Sequence, residues 1–292
     1  MAVSTAGIVA RQRFGAALKE ARLNAPGGPV KQIEVAHALG RRTVDRVSRL
    51  ERGATWPESR ELKTLLRLFK ADTETRVRLE TMLAEGRAIT GAWWTEYQEE
   101  FPDSLIEFVA YEDSATQIVT CAGNVIPGLL QTAEYGRTLT SAVTKTRKGG
   151  LLVDRSIELR RARRQLFEKR NPPSVEMILG EAALRQMIGG RDVMLAQFDS
   201  LITDVEQNRV TLRMVPFDSN IAIAYMFHVI EFGGAHEKPV VAFDAMSGMS
   251  YRKDIKEIRG LKVLVESLRE LSFSPADTLE QIKAMKKELL RD

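Results

Sequence analysis

Arg46 and Arg49 stand three residues apart in the segment TVDRVSRLERG, which spans residues 43–53. On a helix this spacing places two side chains on one face, about a turn apart. Arginine can donate two parallel hydrogen bonds to O6 and N7 of guanine, which is the commonest specific contact in the major groove of DNA. These two residues are therefore the first candidates for reading base edges.

The segment that carries them is predicted to be a short helix. Thr43 is a candidate N-cap, and Gly53 ends the helix. The predicted buried stripe consists of Val44, Val47 and Leu50. The opposite, exposed face carries Thr43, Asp45, Arg46, Ser48 and Arg49.

A second short helix is predicted directly before it. Its apolar positions are Val30, Ile33, Val35, Ala36 and Leu39, and Gly40 ends it. Arg41 and Arg42 form the connection to the next helix. Two short helices joined by a tight, glycine-containing turn are the pattern of a helix-turn-helix. Further helices are predicted at residues 13–24, 60–70 and 74–87.

The amino-acid sequence of this region resembles the lambda-repressor-like, or XRE, helix-turn-helix family. The matching positions are Gln32, Ala36, Gly40, Val47, Ser48, Arg49, Leu50, Glu51, Arg52 and Gly53. The resemblance implies that Gln32 and Arg52 clamp backbone phosphates of DNA, and Arg42 adds a positive charge in the turn. The stretch from Leu39 to Gly53 is one residue longer than the usual family spacing, and the longer part is the turn from Gly40 to Thr43.

Charge is distributed unevenly along the chain. Residues 1–70 hold 14 Lys and Arg against 6 Asp and Glu, which gives +8, whereas the remainder carries −4. Clustered positive charge favours a polyanionic partner, because each cation placed on a phosphate releases counterions. A solvated basic surface is the alternative that charge alone leaves open.

The character of the sequence changes after residue 88, where aromatic and acidic residues dominate. We therefore predict two domains, an all-α helix-turn-helix domain at 1–88 and a mixed α/β (α+β) domain at 89–292. Strands are predicted at 175–179, 210–216, 225–232 and 239–245. Helices are predicted at 154–170, 181–188, 192–207, 252–272 and 275–291.

The second part also resembles a known family, a domain of unknown function that follows the helix-turn-helix in many actinobacterial regulators. The resemblance rests on IPGLLQTAEY at 126–135, on Arg161, Arg164 and Gln165, and on the ILGEAALRQMIGG and VMLAQFDSL segments. Those regulators are described as antitoxin-like, and their genes commonly neighbour one for a small partner protein. Leu129, Leu130 and Tyr135 of the first motif are predicted core residues, with a partner or ligand pocket as the alternative.

The basic stretch from Lys145 to Arg170 has two interpretations as well. It is either a second DNA-contacting surface or the solvent-facing and interdomain side of a helix. The apolar side of that helix would be Ile157, Leu159 and Leu166. We favour the second interpretation.

Enzyme, metal and cofactor functions are not expected. The polar candidates in the second part are Cys121, Glu181, His228, His236 and Asp244, and none lies in a nucleophile elbow, metal-binding spacing or phosphate-binding glycine loop. One cysteine and three histidines leave no room for a Cys/His zinc site. The absence of a long apolar segment or a signal sequence predicts a cytoplasmic protein without membrane contact.

These observations predict a sequence-specific transcription regulator that binds double-stranded DNA. A homodimer is expected, because one helix-turn-helix reads only a few base pairs. Two alternatives concern the second domain. It is either an antitoxin-like module that sequesters a small partner protein or a small-molecule sensor.

Overall fold

The computed structural model describes residues 5–88, 92–144, 150–233, 237–245, 248–252 and 254–291. The chain is rich in helices and contains one six-stranded mixed sheet, so the predicted α+β content is confirmed. Contacts between residues divide it into two compact units. The first comprises Met1–Tyr111 with Gly233–Glu237, and the second Glu112–Phe232 with Lys238–Asp292.

The first unit begins with five α-helices. They are α1 (Thr5–Leu23), α2 (Gln32–Ala38), α3 (Asp45–Glu51), α4 (Ser59–Leu68) and α5 (Thr73–Ala88). A 3-10 helix at Trp93–Tyr97 and helix α6 (Asp103–Asp113) follow. All five helices predicted before residue 88 are present. Residues 89–91, beside the predicted domain boundary, lie outside the described part of the chain.

The core of this unit contains Phe14, Leu18, Val35, Ala36, Val47, Leu50, Leu62, Leu65, Leu66, Phe69 and Leu79. Helix α1 packs against α3 and α5, while α2 packs against α3 and α4. The predicted buried position of Val44 is wrong, because this residue precedes α3 as its N-cap and is 37% exposed. The apolar Ile33 of α2 is also exposed, at 39%.

The second unit is organised around the sheet. Its strands are β1 (Gln117–Ala122), β2 (Ser174–Gly180), β3 (Thr211–Val215), β4 (Phe227–Glu231), β5 (Val240–Ala245) and β6 (Gly248–Arg252). Their order is β3-β2-β1-β4-β5-β6. Strands β1, β2 and β3 pair in parallel, and β4, β5 and β6 continue the sheet in antiparallel pairs. The four predicted strands are confirmed as β2 to β5, whereas β1 and β6 were not predicted.

Helices cover the sheet on both faces. They are α7 (Ala133–Thr144), α8 (Gly150–Arg163), α9 (Glu181–Arg185), α10 (Arg191–Glu206), α11 (Ile255–Glu270) and α12 (Pro275–Leu289), with a 3-10 helix at Arg164–Glu168. One face packs against residues of α7, α10 and α12, including Tyr135, Phe198 and Ile282. The other packs against α11 through Ile258, Val265 and Leu268. The covered faces explain why five of the six residues of β1 and four of the seven residues of β2 are buried.

No helix in the described ranges is long and apolar enough to cross a membrane.

Candidate nucleic-acid interface

Helices α2 and α3 both end in the same way. Gly40 and Gly53 follow the two helices with positive φ angles of 68° and 69°. At α2 the N–H of Arg41 donates to the carbonyl of Ala36 and that of Gly40 to His37. At α3 the amides of Gly53 and Ala54 make the equivalent bonds, to the carbonyls of Leu50 and Arg49. These paired bonds define a glycine C-cap, so both predicted stops are confirmed.

A buried ion pair holds the beginning of α2 and the end of α3 to α1. Arg22 donates to both carboxylate oxygens of Glu51, at 2.5 and 3.1 Å, and to the carbonyl of Val30 at 2.7 Å. The Gln32 side-chain amide donates to the same carboxylate at 2.8 Å. The Arg22 and Glu51 side chains are only 8% and 5% exposed. Thus Gln32, predicted to contact phosphate, lies half-buried at the start of α2 with its amide directed to Glu51.

Sequence reasoning missed Arg22. A signal was present, because Phe14, Leu18 and Arg22 recur at intervals of four and therefore follow one stripe of α1. A charged residue that continues a buried stripe requires a partner. The partner is Glu51, which the resemblance had named without a role.

Arg46 is engaged inside the unit. It donates through Nε and Nη2 to the two oxygens of Glu61, at 3.0 and 2.5 Å. It also donates to Thr55 Oγ1 at 2.8 Å and to the carbonyl of Trp56 at 3.2 Å. Four hydrogen bonds from one guanidinium fix α3 against the start of α4 and against the connection between them. A base contact through Arg46 would require these bonds to be exchanged.

Glu61 also caps the start of α4. Its carboxylate accepts the N–H of Glu58 at 2.8 Å, and the Glu58 side chain accepts from the backbone of Glu61 in return. This reciprocal capping box satisfies two backbone donors of the first turn. The hydrogen bond from Arg46 lowers the pKa of Glu61, and the same bond raises the pKa of Arg46.

The other predicted contact residues lie on the surface. Arg42, Thr43, Asp45, Arg49 and Arg52 are all exposed. The Arg52 Nε donates to the carbonyl of Ser48 within its own turn, at 3.3 Å. The Arg49 guanidinium makes no hydrogen bond or ion pair with the residues that the structure describes. Arg49 is therefore the arginine of α3 whose donors point to solvent.

Thr43 is not the N-cap, so this prediction is wrong. Helix α3 begins at Asp45, and its N-cap is Val44, which lies in the right-handed helical region and caps without a side-chain hydrogen bond. Thr43 therefore belongs to the exposed turn before α3.

Basic residues also line the outer side of α4. Arg60, Lys63 and Arg67 are exposed at intervals of three and four residues. They add exposed positive charge to the first unit, and the sequence analysis did not single them out. Among the described residues of α4, acidic character is confined to Glu61, which is already paired.

In the second unit, the PGLLQTAEY motif is a loop that leads into the first residues of α7, and hydrogen bonds to its backbone hold it in place. The Tyr135 hydroxyl accepts the N–H of Ile126 at 3.1 Å, and the Gln131 amide donates to the Ile126 carbonyl at 2.7 Å. Gln197 accepts the N–H of Thr132 and donates to the carbonyl of Leu130, both at 2.8 Å. Leu129, Leu130 and Tyr135 are buried, so the predicted core role is confirmed.

The arginines of the RRARRQL segment differ in their surroundings. Arg164 donates to the Leu129 carbonyl at 3.2 Å and to both oxygens of buried Asp204. Arg163 makes a two-bond pair with buried Glu112, at 2.7 and 2.8 Å. Arg161 is exposed. Leu159 and Leu166 are buried as predicted, and residues 145–149 of the basic stretch lie outside the described residues.

The polar candidates of the second unit do not form one constellation. His228 Nδ1 lies 2.9 Å from Thr120 Oγ1 between paired strands, and burial followed by the Arg163 charge lowers its pKa to about 3. Burial raises the pKa of Cys121 to about 12. Glu181 accepts from Arg185 and from the N–H of Phe217. His236 lies outside the described residues. No group of three or more His, Cys, Asp or Glu in the described ranges is placed to hold a metal ion.

An open cavity of about 490 Å³ lies where β1, β2 and β3 end. Its lining includes Gly123, Asn124, Gly180 and the exposed ring of Phe217. Ligands of open α/β sheets commonly bind outside the carboxyl ends of parallel strands. Glu181, the acidic residue of the lining, is already paired, so no unmatched charge defines a ligand here.

The second unit has an α+β fold, in which a mixed parallel and antiparallel sheet is covered by helices on both faces. Residues 105–284 match the family described as Domain of unknown function (DUF5753), and the chain belongs to this family. The match contains the IPGLLQTAEY loop and the arginine-rich segment. No curated protein and no solved structure matches the chain.

Proposed function

We propose that the chain is a sequence-specific DNA-binding transcription regulator of the XRE helix-turn-helix type. In this proposal residues 1–88 form the DNA-binding domain, and residues 89–292 form a regulatory domain like that of the actinobacterial regulators. The observation that carries this proposal is that the side chains of α3 differ in their surroundings. Val47 and Leu50 face the core and Arg46 fixes the helix to α4, whereas Arg49 reaches solvent.

The exposed residues around Arg49 supply the chemistry that DNA requires. Arg49 can donate to guanine O6 and N7, and Asp45 can accept from cytosine N4. Arg42, Thr43 and Arg52 lie at the two ends of the helix, where phosphate contacts set its position. The electrostatic contribution comes from the +8 charge of residues 1–70.

The rigid anchoring of α3 supports the same conclusion. A reading helix must hold its side chains in one register against the bases, so the elements that carry it need fixed positions. The Arg22–Glu51 and Arg46–Glu61 pairs fix its two sides, and Gly40 and Gly53 fix the ends of α2 and α3.

Fluorescence anisotropy with labelled duplex from the promoter region of the chain's own gene tests the proposal. We expect binding that is at least about tenfold tighter than to a scrambled duplex of equal length, with both affinities falling as salt rises. The charge-matched control for replacement of Arg49 is Arg259→Ala, which removes an exposed arginine from α11. Equal affinity for the two duplexes would contradict sequence-specific binding.

We further propose that the functional form is a homodimer that acts in the cytoplasm. Two helix-turn-helix units on adjacent half-sites reach the affinity and site length that one unit lacks. Light scattering of the complex measures the stoichiometry. Two chains per site are expected, and one chain per site would contradict the dimer.

A further inference from the structure

The open cavity at the ends of β1, β2 and β3 is lined partly by bare backbone. Gly123 follows β1 and Gly180 ends β2, and both residues line the cavity. A Cβ atom built on Gly123 would lie 2.1 Å from the carbonyl oxygen of Ile223, and one built on Gly180 would lie 2.4 Å from that of Gly123. Glycine at these two positions therefore lets three backbone segments approach one another beside the cavity.

One of these segments has unpaired backbone groups. Residues 221–224, with the sequence IAIA, line the cavity and run without a helix, strand, turn or bend. Within the described ranges, the N–H and carbonyl groups of Ala222, Ile223 and Ala224 make no hydrogen bond. Most backbone groups of a folded protein are paired. A run of unpaired N–H and carbonyl groups can pair with another chain, as the edge of a sheet does.

The side chains of the cavity offer apolar surface and neutral polar groups. The ring of Phe217 is 65% exposed. The side chains of Asn124 and Asn220 each carry a donor and an acceptor, and neither makes a hydrogen bond with the described residues. The two oxygens of Glu181 are occupied by Arg185 Nε and by the N–H of Phe217. The lining therefore presents no unpaired charge to a ligand.

We propose that this cavity binds a short, uncharged internal segment of a polypeptide. The peptide groups of the ligand pair with the backbone of residues 222–224 and with the amides of Asn124 and Asn220, and an apolar side chain packs against Phe217. The cavity volume of about 490 Å³ lies in the range of about 300–1,000 Å³ that is typical of small-ligand sites, so it holds a few residues rather than a folded domain. A chain terminus is excluded, because its charge would lose water without gaining a partner.

Nuclear magnetic resonance titration of the full chain with capped peptides of the form acetyl-Ala-Ala-Xaa-Ala-Ala-amide tests this proposal. Xaa is Ala, Val, Leu, Ile, Phe, Tyr, Lys or Asp. The amide signals of Ala222 and Ala224 are expected to shift, and at least one peptide with an apolar Xaa is expected to bind about tenfold more tightly than those with Lys or Asp. The same peptide with free termini is expected to bind about tenfold more weakly than its capped form.

A backbone variant of the ligand separates peptide recognition from simple apolar binding. An ester oxygen in place of the central N–H removes one donor and is expected to weaken binding about fivefold. Indole serves as an apolar ring without a peptide backbone. Binding of indole that equals or exceeds that of every capped peptide would contradict recognition of peptide groups.

Two exposed aromatic residues provide matched variants of the protein. Phe217→Ala removes the ring at the cavity and is expected to weaken peptide binding about tenfold. Tyr225→Ala removes a ring that is 74% exposed and outside the lining, so it is expected to leave the affinity unchanged. Unshifted amides of Ala222 and Ala224, equal affinity for the Lys and Asp peptides, or unchanged binding in Phe217→Ala would overturn the proposal. The titration contains no DNA, so its outcome is independent of the function proposed for α3.

Discussion

At the scale of single residues, Arg46 and Arg49 fit the same sequence pattern but make different contacts in the structure. Arg46 donates four hydrogen bonds to Glu61, Thr55 and the Trp56 carbonyl, whereas Arg49 reaches solvent. Both residues have the same type and lie on one short helix, so composition and spacing could not separate them. The separation depends on Glu61, which α4 brings to the side of Arg46.

Replacement of Arg46 tests its structural role. Arg46→Met is expected to lower the free energy of unfolding by about 1–3 kcal/mol, because Glu61 is left partly buried without its cation. Chemical denaturation measures the change. Arg67→Met, on the exposed side of α4, is the control and is expected to alter stability by less than about 0.5 kcal/mol. Equal stability of the two variants would contradict the assigned role of Arg46.

At the scale of elements, the close crossing of α1 and α3 depends on a missing side chain. A Cβ atom on Gly15 would lie 2.6 and 2.7 Å from the carbonyl oxygens of Leu50 and Glu51. Backbone atoms cannot give way as a flexible side chain does, so the two helices would have to separate. The position of α3 therefore depends on Gly15 as well as on the two ion pairs.

Two alanine variants of α1 test this crossing. Gly15→Ala is expected to destabilise the protein by about 1–3 kcal/mol through overpacking. Gly7→Ala lies in the same helix with no atom within 4 Å of the new Cβ, and it is expected to stabilise by about 0.5–1 kcal/mol. Thermal unfolding of both variants measures the difference. Stabilisation by both substitutions would show that α1 and α3 do not pack this closely.

The PGLLQTAEY loop depends on one residue of α10. Gln197 is fully buried and satisfies the N–H of Thr132 and the carbonyl of Leu130. Gln197→Met preserves the volume but leaves both backbone groups unpaired, so a loss of about 2–4 kcal/mol is expected. Hydrogen exchange should show faster exchange of the Thr132 amide. Unchanged protection of that amide would contradict the bridging role.

Sequence patterns predicted most of the helices and strands. They failed for features that depend on tertiary contacts. Strand β1 was not predicted, because five of its six residues are buried and their pattern has no alternation to distinguish them from a helix. Strand β6 is an edge strand whose residues are half-buried or exposed, so it has no apolar pattern. The glycine stops of α2 and α3 were predicted correctly, because they depend on local backbone geometry alone.

In the candidate interface, too, the sequence pattern predicts which residues are exposed but not which ion pairs form. Exposure of Asp45 and Arg49 agrees with the predicted polar face of α3, whereas Arg46 and Ser48 of that face are half-buried. The Arg46–Glu61 pair joins residues 15 positions apart, and the Arg22–Glu51 pair joins residues 29 positions apart. Such pairs depend on how helices pack, which helical periodicity does not specify.

At the scale of the whole molecule, stability should depend on pH through His228. Burial lowers its folded-state pKa to about 3, while an unfolded histidine titrates near about 6.5. The unfolded chain therefore binds this proton first as pH falls, so the stabilisation present above about pH 6.5 declines between about 6.5 and 3. At pH 5 the expected loss is about 2 kcal/mol relative to pH 7.

Denaturation curves of the wild type and His228→Gln at the two pH values measure this contribution. Glutamine does not titrate, so the variant is expected to lose less stability between pH 7 and pH 5. The comparison within each protein removes the cost of the substitution itself. An identical loss in both proteins would show that His228 is not responsible.

The proposed function depends on α3 contacting DNA bases through Arg49, and the ratio of affinities for the specific and scrambled duplexes tests this contact most directly. Arg49→Ala is expected to reduce this ratio by about 5–150-fold, the value of one two-bond contact to guanine, while retaining most of the salt-dependent nonspecific binding. Arg259→Ala is expected to leave the ratio unchanged. An unchanged ratio in Arg49→Ala would contradict the assignment of α3 as the reading helix.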